Sequence, residues 1–182
     1  MADLQNKAWY IATTYSSHEN KVADNIRKRI ENFNLSDQVF RVIVAEETEE
    51  IKEKSGKIKT KIVNLYPGYV FVEMIMTDDT WYMVRNTPGV TGIAGSSGGG
   101  TKPTPVPVNE IESVLKRIGQ IDSTMMARYL VGEHIRVING PFNGMEGKIV
   151  SIDTETNIVK VETVFFGRPT ALEVDFSIIE KI

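Results

Sequence analysis

The sequence predicts an α+β fold in two domains: an N-terminal antiparallel α/β sandwich and a small C-terminal all-β barrel. Three observations predict it. Residues 1–120 alternate strand-like apolar runs with helix-periodic ones, residues 121–128 have no sustained period, and residues 132–152 set two glycine-marked turns inside a β pattern. The partition expected is therefore 1–120, a flexible linker at 121–128, and 129–182. With 182 residues, 41% hydrophobic and 25% charged, each domain can hold only a small core.

Trp9-Tyr10-Ile11-Ala12-Thr13-Thr14-Tyr15 is aromatic and β-branched and reads as the first strand. Ser16 or Ser17 is placed to cap the helix that follows, with Glu19 three residues after Ser16 as in a capping box. Val22, Ile26, Ile30 and Phe33 mark one helical face, with Arg27, Lys28 and Arg29 beside the polar one. A strand starts at Val39, and Glu46 to Lys61 reads as an exposed charged hairpin turning at Ser55-Gly56. Such exposed pairs add only ~0 to 1 kcal/mol each, and no chemistry is assigned to them.

Tyr69-Val70-Phe71-Val72-Glu73-Met74-Ile75-Met76 is apolar on both alternating sets, which predicts a central strand covered on both faces. Thr77 or Asp78 is a cap for a helix carrying Trp81 and Val84, stopped at Thr87-Pro88-Gly89 because the residue before proline is pushed out of the α region. Val90 to Ala94 reads as a strand, and Gly95 to Pro107 as a flexible loop that stiffens. Asn109 is a cap for a last helix with Ile111, Val114, Leu115 and Ile118, closed by Gly119.

In the barrel, Asn139-Gly140 supplies a tight turn, Pro141 fixes its own φ, and Gly144 and Gly147 permit a compact loop before the next strand. This stretch resembles the KOW motif of proteins that serve the transcription and translation machinery. Parity along Ile158–Phe166 puts Val159, Val161, Thr163 and Phe165 inside, and Lys160, Glu162, Val164 and Phe166 outside. An outward Phe166 before Gly167-Arg168 is not needed for folding and asks for a protein partner.

Composition narrows the classes. The chain has no cysteine, so disulfides, Cys-based zinc sites and thiol nucleophiles are excluded. His18 and His134 lack a metal-like spacing, and no metal or cofactor is expected. No apolar run reaches the ~20 residues that cross a bilayer, and the N-terminus lacks a signal peptide's apolar region, so the expected place is the cytoplasm without membrane contact. Gly95–Lys102 is glycine-rich but has Thr101-Lys102 in reverse of a P-loop's order, and Pro103 blocks its helix. No catalytic residue is assigned, and the chain reads as a non-enzyme.

Four blocks in order make the chain resemble the NusG family of transcription elongation, termination and antitermination factors across nearly its whole length. They are Trp9-Tyr10 with the basic first helix; Tyr66-Pro67-Gly68-Tyr69-Val70; Trp81 through Val90; and the KOW stretch with Phe166-Gly167-Arg168 and Glu173-Val174-Asp175-Phe176. The resemblance implies a polymerase-binding N-terminal domain and a tethered KOW domain that recruits other factors, with the protein a monomer. It implies that Tyr66, with Trp9, Tyr10 and Tyr69, meets the clamp helices of the largest RNA polymerase subunit. It implies that Asn86 and Thr87, with Arg85, touch the non-template DNA strand and favour pausing at T-rich sequence. In the KOW domain it implies that Phe166, with Val164, Phe142, Met145 and Arg168, binds a small-subunit ribosomal protein, coupling transcription to translation, or the termination helicase Rho.

Two other readings compete: an operon-specific antitermination paralogue, which would weaken the KOW pattern kept here, and a KOW-type RNA-binding protein. Against RNA, residues 128–182 hold six basic and eight acidic side chains, a net charge of -2, and the whole chain carries -3. Phosphate affinity needs clustered Lys and Arg.

Overall fold

In chain order the N-terminal unit contains β1 (Lys7–Thr13), α1 (Glu19–Asn32), β2 (Val39–Ile43), β3 (Glu46–Lys52), β4 (Ile58–Asn64), β5 (Tyr69–Ile75), α2 (Asp78–Arg85) and β6 (Gly92–Ile93). The computed structural model describes residues 6–96, 98 and 100–182. Of the loop expected from Gly95 to Pro107, Ser97 and Gly99 lie outside the described residues.

Four strands form an antiparallel sheet in the order β2-β5-β1-β6. β5 is central, and every residue in it after Tyr69 is buried, so both faces are covered as its unbroken apolar run predicts. On one face Tyr10, Ala12, Val70, Val72 and Met74 pack with Val22, Ala23 and Ile26 of α1 and with Met83 and Val84 of α2. The other face carries a row across three strands in register: Trp9, Glu73 and Arg41. Arg41 grips buried Glu73 through Nε to Oε1 at 3.0 Å and Nη2 to Oε2 at 3.2 Å, and its guanidinium lies 4.9 Å from the Trp9 ring centroid. A fork-shaped donor matches both carboxylate oxygens, which is how a buried charge is tolerated here.

Helix α1 does not use the expected capping box. Its N-cap is His18, without a side-chain cap, and Glu19 is buried with Oε1 accepting from the Gly68 N–H at 2.7 Å. The carboxylate thus serves a contact 49 residues away. Phe33, expected on the buried face, is the C-cap and is exposed, with Arg29 over its ring. α2 keeps its expected cap: the Thr77 hydroxyl accepts from Thr80 N–H and Thr80 Oγ1 accepts from Thr77 N–H.

The C-terminal unit begins inside helix α3 (Val108–Arg117), since the two compact units are Met1–Ile111 and Glu112–Ile182. This division lies earlier than the linker expected at 121–128, which instead holds the short helix α4 (Ser123–Met126) with Met125 and Met126 buried. Past Arg117, α3 is closed by Gly119 at positive φ as expected, with Gln120 N–H donating to Leu115 O and Gly119 N–H to Lys116 O. Asn109 lies within the helix, which starts at Val108.

Lys116 explains why the end of α3 belongs with the barrel. It is 7% exposed, and Nζ donates to Tyr129 Oη at 2.9 Å and to the Ile179 carbonyl at 2.6 Å. The ammonium also sits 4.2 Å from the Phe176 ring centroid and 3.6 Å from Glu112 Oε1. Burial pushes its pKa down against the pull of Glu112, and burial with the same carboxylate pushes the Tyr129 phenol up.

Five strands complete this unit: β7 (His134–Val137), β8 (Glu146–Asp153), β9 (Ile158–Phe165), β10 (Arg168–Asp175) and β11 (Ile179–Lys181), in the order β10-β9-β8-β7-β11. Gly140 and Gly144 take the positive φ their turns require. Gly147 has another role than the loop flexibility expected of it: it lies in β8, where an added Cβ would stand 2.5 Å from Val161 Cγ1 and 2.6 Å from the Glu162 carbonyl. The glycine lets two strands close on each other. No helix among the described residues is long and apolar enough to cross a membrane.

Candidate functional site

Three exposed regions hold the residues singled out in the sequence. The first surrounds Tyr66-Pro67-Gly68-Tyr69. Tyr69 N–H donates to Tyr66 O at 3.1 Å and Gly68 has φ +84°, which with Pro67 at the second position is the pattern of a type II turn. Gly68 is tied three ways: its N–H to Glu19, its carbonyl to the Thr14 N–H at 2.9 Å, and a Cβ would stand 3.0 Å from Thr14 O. Burial would raise the Glu19 pKa, but backbone N–H groups, with Gly68's first, outweigh it and hold the carboxyl below its ordinary value.

This fixed turn presents aromatic rings. Tyr66 is 37% exposed and rests edge-on against Phe71, with centroids 5.8 Å apart, and Tyr69 is exposed to a similar degree. Trp9 and Tyr10, grouped with them by resemblance, are buried, Tyr10 beneath the helices and Trp9 under Arg41. They support the sheet and offer no contact surface. Tyr15 was not singled out, yet it is 69% exposed and follows Thr14, whose backbone bonds to Gly68. The sequence predicts it inside the first strand, but β1 ends at Thr13, two residues earlier, which frees the ring.

The second region is the end of α2. Asn86 is exposed and its Nδ2 donates to Tyr82 O at 2.8 Å, leaving Oδ1 to accept. Arg85 is exposed and Tyr82, one turn back, presents its ring to solvent. Thr87 is otherwise placed than expected. It is 2% exposed, with Oγ1 donating to Met83 O at 2.8 Å, so its proton is spent closing the helix and burial keeps its remaining lone pairs from DNA. The turn is held against α1 by Asn25 Nδ2 donating to Pro88 O and by Gly89, whose Cβ would stand 2.6 Å from Val22 Cγ2.

The third region is the β9–β10 hairpin. Phe165 pairs with Arg168, leaving a two-residue loop of Phe166 and Gly167 with φ +50° and +75°. Both positive values make this a type I′ turn, where Asn-Gly is the favoured pair and phenylalanine is strained. Phe166 is 91% exposed and touches Phe165 edge-on at 4.5 Å between centroids. Phe165 was expected inside with Val159, Val161 and Thr163, which are buried, but it is exposed because the strand runs past the core at its last residue. Val164 and Arg168 are exposed beside it. Thr163 Oγ1 donates to Glu146 O at 2.8 Å, which sets the start of β8, and so half-buried Met145, at the same end of the sheet. Phe142 is likewise half-buried, and the Met145 N–H donates to its carbonyl at 3.0 Å. Among the described residues no group of three or more His, Asp or Glu is arranged to hold a metal.

The family model "Transcription termination factor nusG" matches residues 7–115, and that of the KOW motif matches residues 131–162. The chain belongs to the NusG family. The transcription termination/antitermination protein NusG of Staphylococcus aureus strain Mu50 is 47% identical over 176 residues, spanning 97% of this chain and 96% of that one, and strain N315 gives the same figures. A solved structure described as the domain interaction in Thermotoga maritima NusG is 33% identical, covers 98% of each chain and superposes with a TM-score of 0.52. The NusG family is one of transcription termination and antitermination factors, not a known enzyme family, and the two matches follow the order of α/β and β units described above.

Proposed function

We propose that the chain is a general elongation factor: it docks on RNA polymerase with its N-terminal unit and recruits a second partner with the β9–β10 hairpin. The observation that carries this reading is Phe166. A large apolar ring that is 91% exposed, on a backbone torsion that L-residues avoid, is disfavoured twice by folding and so points to a binding role. Val164, Arg168 and the Phe142–Met145 loop complete its surface, and the occupants are a small-subunit ribosomal protein or Rho.

Polymerase contact is supported by the Tyr66–Tyr69 turn. Its rings offer amphipathic area at small entropy cost, on a backbone fixed by Gly68 and Glu19. Tyr66 is the anchor for the clamp helices of the largest subunit, with Tyr69 and Tyr15 at its rim. The end of α2 then contacts the non-template strand: Asn86 Oδ1 for base edges, Arg85 for phosphate and Tyr82 for stacking. The protein acts in the cytoplasm as a monomer, without a cofactor.

Titration of polymerase against Tyr66→Ala tests the anchor, and a loss of about 2 kcal/mol, near thirtyfold in affinity, is expected with the fold intact. Unchanged affinity removes Tyr66 from that role. Phe166→Ala should lose the ribosomal partner while polymerase binding stays at wild-type strength, and a full-strength ribosomal interaction rejects the hairpin.

A further inference from the structure

The β3–β4 ribbon takes no part in the three regions above, and its charges are sorted along its length. β3 enters with Glu46, Glu47, Glu49 and Glu50, and Lys61 stands opposite Glu49, whereas residues 51–59 at the far end hold four lysines against one glutamate, a net charge of +3. That single glutamate is occupied. Glu53 Oε1 lies 2.5 Å from Lys59 Nζ, and Oε2 accepts from Ser55 Oγ at 3.4 Å. Two backbone bonds, Glu53 N–H to Lys57 O at 2.8 Å and Gly56 N–H to Glu53 O at 2.9 Å, fix the turn. Lys52, Lys54 and Lys57 are exposed around it with no carboxylate in ion-pair range among the described residues.

We propose that this tip binds the phosphate backbone of double-stranded DNA. Unneutralised like charges gathered on a rigid turn repel one another, and a polyanion is the ligand that relieves them by releasing its counterions. Lysine brings a point charge suited to phosphate, without the fork that carboxylates reward. The width also fits, since a two-stranded ribbon enters a major groove. In the register Thr48 opposes Ile62, Glu50 opposes Thr60, and Lys52 opposes Ile58, so one face carries Lys52 at the tip beside exposed Ile58 and Thr60, with the Glu50 carboxylate setting the limit of the contact. Such a face can lie along sugars and groove walls. Glu46 and Glu47 at the base, with Glu49 and Glu50 midway, confine the contact to the far end. Duplex binding here does not depend on polymerase docking.

The test is fluorescence anisotropy of a labelled duplex of about 25 base pairs with the full chain, titrated from about 20 to 200 mM salt. Replacing Lys52, Lys54 and Lys57 together by Gln should reduce the slope of log affinity against log salt by up to about 2.7, at ~0.9 per phosphate contact. Glu53→Gln releases Lys59 and should tighten binding, and replacing the three lysines by arginine should preserve it. Circular dichroism and melting temperature check that each variant keeps its fold. Equal affinity and slope for wild type and the Gln variant overturn the proposal. It is also overturned if the Gln variant loses only binding to DNA-free polymerase, which would make the ribbon a protein contact. Tyr66→Ala should bind the duplex as wild type does, so failure of the polymerase reading and failure of this one are distinguishable.

Discussion

At the scale of single residues, side chains that look equivalent in sequence are separated by what they are bonded to. Phe166 occupies a turn position that favours asparagine, at a cost of ~1 kcal/mol or more for an ordinary L-residue. Phe166→Asn should therefore melt no lower than wild type while partner binding is lost, and a clear fall in melting temperature would show the ring to be structural. Glu19 gives a pH prediction. Its folded pKa lies below the ordinary glutamate value of 4.5, so its contribution is fully present above that value and fades as pH falls through the folded one. The gap in stability between wild type and Glu19→Gln, about 1 kcal/mol near neutrality, should close in acid. A gap that stays constant down to pH 2 would remove the carboxylate's charge from the account.

At the scale of elements, helix ends and strand approaches decide what a pattern can do. Asn86 and Thr87 are adjacent and both polar, yet only Asn86 faces solvent. Asn86→Ala should lower pausing at T-rich sites at unchanged stability, whereas Thr87→Val should cost ~1 kcal/mol of stability and leave pausing in place wherever the helix still closes. Single-round transcription on a T-rich template, paired with thermal melts, separates them. Gly147→Ala should cost about 3 kcal/mol, because the Glu162 carbonyl it would strike belongs to the β8–β9 ladder. Hydrophobic period and turn chemistry made the strands, α1, α2 and the Gly119 stop legible in the sequence. Period could not reveal that Glu19 is claimed by Gly68, that Thr87 folds back on Met83, or that Phe165 lies beyond the core, since each is set by residues distant in the chain or by where a layer ends.

At the scale of the whole molecule, the Tyr66–Tyr69 turn and the β9–β10 hairpin lie in different compact units, Tyr66 in the first and Phe166 in the second. The early division was hidden because Lys116 reads as the polar face of a helix, whereas it is buried among Tyr129, Phe176 and Ile179. A fragment starting at Glu112 should therefore melt above one starting at Tyr129, which lacks Lys116 and the buried pair Met125 and Met126. Equal melting would return residues 112–128 to the role of a tether. The hairpin bears on speed as well as affinity. On the proposed reading, two positive backbone torsions fix the turn that carries Phe166 before a partner arrives, so its backbone has no ordering left to do during the encounter. Association on that reading should be governed by collision, and competing ligands of the hairpin should differ mainly in how long each one stays.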